Sequence, residues 1–120
     1  MPNRPLTTSR HAHSFGATVV VVAGELDLNT AQQLTDVLHG VEQSAGTSLI
    51  VDLSALTYCD STGITVLANA DQAARKANMH FILASPSPDL MRVFRIVGLD
   101  QMFTFQPSVQ DAFEAVRSWG

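Results

Sequence analysis

Residues 16–28 read Gly-Ala-Thr-Val-Val-Val-Val-Ala-Gly-Glu-Leu-Asp-Leu, and within them Thr18 to Ala23 form an unbroken run dominated by β-branched side chains. The run is too short for a buried helix and lacks the polar alternation of a half-exposed strand. It predicts a central strand covered on both faces, which in turn requires helices packed on the sheet. Upstream, His11 to Phe15 predict a short edge strand that turns into this one at Gly16. Residues 1–10 (MPNRPLTTSR) hold two prolines and small polar residues without periodicity, and predict a leader of little structure before a domain spanning 11–120.

Downstream, the hydrophobic period changes from two to 3.6. Asn29 or Thr30 can cap a helix whose Leu34, Val37, Leu38 and Val41 form one stripe. Ser48 to Leu53 predict a second core strand, followed by a polar loop over 54–60 anchored by Leu56, and then a helix from Thr62 to Ala77. His80 to Ala84 predict a third core strand. Ser87 with Pro88 then opens a short helix, with Leu90, Val93, Phe94 and Val97 inward, that Gly98 stops. Met102 to Phe105 predict a last short strand, and Ser108-Val-Gln-Asp111 reads as a capping box for a final helix with Val109, Ala112, Phe113 and Val116 inward. Strands alternating with helices predict an α/β domain with right-handed crossovers, a mixed sheet of four to five strands and about four helices.

Composition limits the function classes. A chain of 120 residues and 12.9 kDa supports one core without metal or disulfide staples. With 46% apolar and 15% charged residues and a mean hydropathy of +0.14, it is too apolar for disorder, yet it has no run long enough to predict membrane insertion. Seven Lys plus Arg against eleven Asp plus Glu leave a net charge of −4, and Arg75-Lys76 is no basic groove, so direct nucleic-acid binding is not expected. The single cysteine, Cys59, makes no internal disulfide, and the first residues lack a signal-peptide order; a cytoplasmic protein is expected.

Candidate chemistries thin out on inspection. Glu25 and Asp27 could together hold magnesium, but a solvated loop explains them equally well. A phosphoacceptor receiver built on Asp52 lacks a strand-end lysine, since Lys76 sits late in a helix. Ser61 lies outside any Gly-x-Ser-x-Gly elbow, and His11, His13, His39 and His80 show no convergence toward a triad or a metal. There is no Gly-x-Gly-x-x-Gly and no phosphate-binding lysine motif, so no metal, cofactor or enzymatic activity is expected. The most informative segment is 56–64, Leu-Thr-Tyr-Cys-Asp-Ser-Thr-Gly-Ile, which places Asp60, Ser61 and Thr62 at a loop-to-helix junction. One reading is a plain N-cap with a close glycine approach. The other is a hydroxyl presented at a helix start, where phosphorylation adds about −1.5 to −2 charges beside Asp60.

Five elements in order carry a resemblance: Gly24-Glu25-Leu26-Asp27, Val51-Asp52-Leu53-Ser54, Tyr58-Cys59-Asp60-Ser61-Thr62-Gly63, the small-residue helix Ile64 to Ala77, and Phe94-Arg95-Ile96-Val97-Gly98-Leu99. Over residues 12–117 the chain resembles the STAS family, and within it the stand-alone bacterial anti-sigma factor antagonists. The resemblance implies partner switching. The unphosphorylated domain binds an anti-sigma factor with serine kinase activity and frees a sigma factor, and the kinase reverses this by phosphorylating the serine after the motif aspartate. A serine phosphatase is a further implied partner. Carried over residue by residue, Ser61 is the phosphoacceptor, Asp60 supports recognition, Thr62 and Gly63 shape the helix start, and the loop Glu25 to Asn29, with Glu25, Asp27 and Asn29, and the exposed face of the following helix complete the partner surface. One departure is Cys59, where the family commonly has a hydrophobic residue; packing is its expected role, although a thiol is oxidisable. The alternative within the same family is an accessory subunit docked to a membrane transporter or signalling complex.

Overall fold

The computed structural model describes residues 5–119. Five strands, β1 (Thr7–Ala12), β2 (Ala17–Leu26), β3 (Ser48–Cys59), β4 (His80–Ala84) and β5 (Thr104–Gln106), form one mixed sheet in sequential order. β1 runs antiparallel to β2, and the remaining neighbours are parallel. The parallel pairs are joined by α1 (Ala31–His39), α2 (Ser61–Lys76) and α3 (Pro88–Ile96), and α4 (Val109–Trp119) closes the chain. The α/β class, the mixed sheet and the four helices are those expected from the alternating periods.

The apolar runs follow from burial on both faces. Val20 and Val22 of β2, Leu49 and Val51 of β3, and Phe81 and Leu83 of β4 meet the inward stripes of α1, α2 and α3. The alternate residues Val19, Ile50 and Ile82 meet Ala112 and Val116 of α4. A run without polar alternation is what a strand with two apolar faces requires. The β4 boundaries and the α3 cap fall where the sequence puts them: Ser87 Oγ accepts from the Leu90 N–H at 3.1 Å, with Pro88 in the first turn. Ser108 likewise caps α4, its Oγ accepting from the Asp111 N–H at 3.0 Å.

Several segments differ from expectation: His13 to Phe15, expected in the edge strand, lie outside β1, and Val97, expected on the inward stripe of α3, follows its last residue and is exposed. Residues 7–10, expected in the leader, belong to β1, and Leu6 before them is buried in the main core. An edge strand exposed along most of its length has no apolar alternation to display, so its composition resembles that of a frayed end; pairing with β2 from Thr7↔Ala23 to Ala12↔Thr18 is what orders it. The expected leader residues 1–4 lie outside the described residues. The turn out of β1 is a 3-10 segment, Ser14–Gly16, in which Phe15 and Gly16 both have left-handed φ values.

The polar loop expected over 54–60 is instead the second half of β3, and Gly24 to Leu26, expected in a loop, extend β2 alongside it. Two register shifts account for the difference. Each places one extra β3 residue opposite β2, so the buried positions fall at Leu53, Leu56 and Cys59, three apart rather than two. A spacing of three in a polar stretch does not read as a strand. The Thr57 hydroxyl donates to the Gly24 carbonyl at 3.0 Å across the second shift. Gly24 adopts φ +103, and a side chain there would run into the Pro5 carbonyl, so a residue without Cβ is required. At the far edge, β5 begins at Thr104 rather than Met102.

Candidate functional site

The extended β2 and β3 end side by side, at Leu26 and Cys59, and this common end builds the site. Beyond Leu26 the chain turns sharply into α1. Asp27, 8% exposed, makes the turn: its Oδ1 accepts from the Asn29 N–H at 2.9 Å and the Thr30 N–H at 3.2 Å. Thr30 Oγ1 accepts from the Asp27 N–H at 2.9 Å and lies 2.8 Å from the Glu25 carbonyl, to which it donates. Asp27 therefore fixes the turn that leads into α1, its carbonyl accepting from the Ala31 N–H at 2.8 Å, while Thr30, at the N-cap position expected from spacing, makes no side-chain cap bond.

Asp60 performs the same task for α2 and also joins the two turns. Its Oδ1 accepts from the Gly63 N–H at 3.0 Å, its Oδ2 accepts from the Leu28 N–H at 3.2 Å, and its own N–H donates to the Leu26 carbonyl at 3.1 Å. Both carboxylate oxygens are thus engaged in positioning backbone. Replacement by Ala removes the cap and the bridge together, and a stability loss of about 1–2 kcal/mol is expected in urea unfolding. Asp60→Asn retains only one acceptor oxygen and should fall between the two.

Ser61 is the first residue of α2, where helix N–H groups favour negative charge, and its residue is exposed. Thr62 is half-buried and Gly63 buried. A Cβ on Gly63 would stand 2.6 Å from Leu26 Cγ and 2.9 Å from Cys59 Sγ, so glycine lets α2 press against the ends of both strands. Glu25, Asp27, Asn29 and Asp60 line one open cleft together with Leu28 and Tyr58. Of the candidate residues, Glu25, Asp27, Asn29 and Asp60 are therefore brought together, whereas Ser61, Thr62 and Gly63 do not line this cleft. Leu28, 74% exposed, belongs to the loop expected to form the partner surface, whereas Tyr58 at 51% was not among the expected contacts; the two put large apolar groups in the same cleft as the carboxylates.

Cys59 is 6% exposed beneath this surface. Burial, reinforced by the neighbouring Asp60 carboxylate, pushes its thiol from 9.0 up to about 12. The protonated thiol packs, in keeping with the expected role, and thiolate chemistry is suppressed. Between pH 9 and 12 the folded chain holds a proton that the unfolded chain has released, so stability falls as pH rises through that window, by at most about 1.4 kcal/mol per unit. Urea midpoints from pH 8 to 11 should drop more steeply for the parent protein than for Cys59→Ala.

No group of three or more His, Cys, Asp or Glu suited to a metal occurs among the described residues. The histidines stay apart: the His13 ring packs on Phe113 and the His80 ring on Trp119. Among the described residues, no helix is long and apolar enough to cross a membrane.

Comparison with known proteins identifies the family. The STAS domain family model matches residues 9–112. The anti-sigma-B factor antagonist of Listeria monocytogenes is 34% identical over 83 residues, covering 69% of this chain and 73% of the relative. The anti-sigma-F factor antagonist RsfB of Mycobacterium tuberculosis is 30% identical over 102 residues, covering 85% of this chain and 83% of that one. A crystal structure of an anti-sigma factor antagonist from Mycobacterium paratuberculosis superposes with a TM-score of 0.83 at 34% identity, over 93% of this chain and 94% of that one. On these grounds the chain belongs to the STAS domain family, among the anti-sigma factor antagonists.

Proposed function

We propose that this protein is an anti-sigma factor antagonist that, unphosphorylated, binds an anti-sigma factor with serine kinase activity and so frees a sigma factor. The kinase ends the interaction by transferring the γ-phosphoryl group of ATP to Ser61 Oγ, releasing ADP, and a serine phosphatase restores the binding form. The observation that carries the reading is the exposure of Ser61 at the first position of α2, on a turn that Asp60 holds rigidly to the Glu25–Asn29 segment. The named antagonists among the relatives support it. In this scheme the chain is the kinase's substrate and performs no chemistry itself.

The effect of phosphorylation follows from where the charge falls. A phosphate at a helix N-terminus is tolerated by the fold, because it meets the positive end of the helix. The same phosphate follows directly on Asp60, which lines a cleft with Glu25, Asp27 and the exposed Leu28 and Tyr58. A partner that fits those carboxylates and apolar groups meets added charge and volume, so the switch acts on the interface and not on the domain.

The test is a quantitative pull-down from a lysate of the native organism, comparing the parent protein with Ser61→Asp and identifying partners by mass spectrometry. Recovery of an ATP-binding kinase by the parent alone is expected. Equal recovery of a transporter or signalling complex by both forms would overturn the proposal in favour of an accessory subunit.

A further inference from the structure

We infer that the cleft between α1 and α2 is a binding site for a small, uncharged aromatic molecule carrying one hydrogen-bonding group. The cleft encloses about 210 Å³ and lies away from the Ser61 rim, against the middle and C-terminal turns of α2. Its floor is the main core itself: Leu38, Val41, Leu49 and Met79, all buried. Its α2 wall is made of Ala70, Ala73 and Ala74, with Val66 one turn above. Small side chains on a helix ordinarily mean close helix packing. Here α1 ends at His39 while α2 runs on to Lys76, so the alanines face a gap that no side chain fills.

The lining also decides the chemistry. Thr35, His39, Gln43 and Asn69 supply hydrogen-bonding groups, and the Thr35 hydroxyl already donates to the Ala31 carbonyl at 3.1 Å, which leaves it as an acceptor for a ligand. Among the described residues no Asp, Glu, Lys or Arg lines the cleft, and the His39 imidazole is its one titratable side chain. A charged ligand would therefore lose its hydration without gaining a carboxylate or guanidinium partner, whereas a neutral hydroxyl or ring N–H is satisfied. For size, an apolar protein cavity of about 150 Å³ takes up benzene, so this cleft has room for one ring and a short polar substituent.

The experiment is a titration of the full chain with benzyl alcohol, followed by amide chemical shifts, with benzoate as the charged probe of matched size. Saturable shifts centred on Leu38, Val41, Ala70 and Met79 are expected, with a dissociation constant of about 1 mM or tighter. Benzoate should bind at least about tenfold more weakly. Two filling variants, Ala73→Leu on α2 and Thr35→Leu on α1, should each abolish the shifts, and whichever of them gives a native-like spectrum is sufficient to decide. The inference is overturned if the parent shows no saturable shifts up to 10-fold above that concentration, about 10 mM, or if a folded filling variant binds equally well. It is also overturned if benzoate matches benzyl alcohol, or if the same residues shift on raising protein concentration alone, which would assign the cleft to a second copy of the chain.

Discussion

Ser61→Asp is expected to leave the fold intact, to raise the melting temperature slightly or not at all, and to weaken capture of the kinase partner by at least about a hundredfold. The two halves of the result have opposite signs for one reason. A carboxylate in the first turn of α2 interacts favourably with the helix dipole, by about 0.3–1 kcal/mol at an exposed position. At the proposed interface the same charge follows Asp60, which lines the cleft shared with Glu25 and Asp27, and a like-charge mismatch with a partner there costs several kcal/mol. Titration calorimetry or surface capture gives the affinity, and thermal melting gives the control. Ser61→Ala should bind as the parent does and resist phosphorylation. If Ser61→Asp binds within a few-fold of the parent while its melting curve is unchanged, phosphorylation of this serine is not the switch.

Gly63→Val is expected to cost about 3 kcal/mol or more in chemical unfolding, and to weaken partner binding through loss of the site's geometry. The position is helical, so on intrinsic preference alone the substitution would be mildly favourable. The surroundings reverse that preference. Even the first carbon of a side chain would stand 2.6 Å from Leu26 Cγ, and Leu26 is fully buried at the end of β2. α2 would have to lift from the ends of β2 and β3, and overpacking of this kind typically costs 1–3 kcal/mol, more for a branched side chain. Lifting α2 also pulls Asp60 away from the Leu28 N–H, so the loop carrying Leu28 and Asn29 loses its tether. Gly63→Ala should show the same direction at about 1–3 kcal/mol. A Gly63→Val protein as stable as the parent would mean that the junction is not close-packed.

How the loop and the helix start come to share one surface explains which parts of the site were legible. Asp60-Ser61-Thr62-Gly63 reads as a helix start from local chemistry: a capping carboxylate, a hydroxyl and a small residue before an apolar stripe. The bond from the Leu28 N–H to Asp60 spans 32 positions in the chain, and no spacing rule reaches that far. The same holds for Leu28 and Tyr58. Each is an unremarkable exposed residue in its own segment, and they become neighbours only because β2 and β3 end together.

Local sequence therefore determined every element whose stabilising interactions lie within a few residues. The core strands follow from their apolar runs, α3 and α4 from the caps at Ser87 and Ser108, and the start of α2 from Asp60. Tertiary structure decided what depends on distant partners. β1 exists because β2 offers it an edge, since its own polar sequence holds no preference strong enough to order it. The second half of β3 exists because two bulges let an irregular stretch pair with Ala23 to Leu26 while still burying Leu53, Leu56 and Cys59. The same pairing carries Glu25, Asp27 and Asn29 to Asp60, because a hydrogen-bonded ladder, unlike a cap or a helical stripe, takes half of its information from another part of the chain.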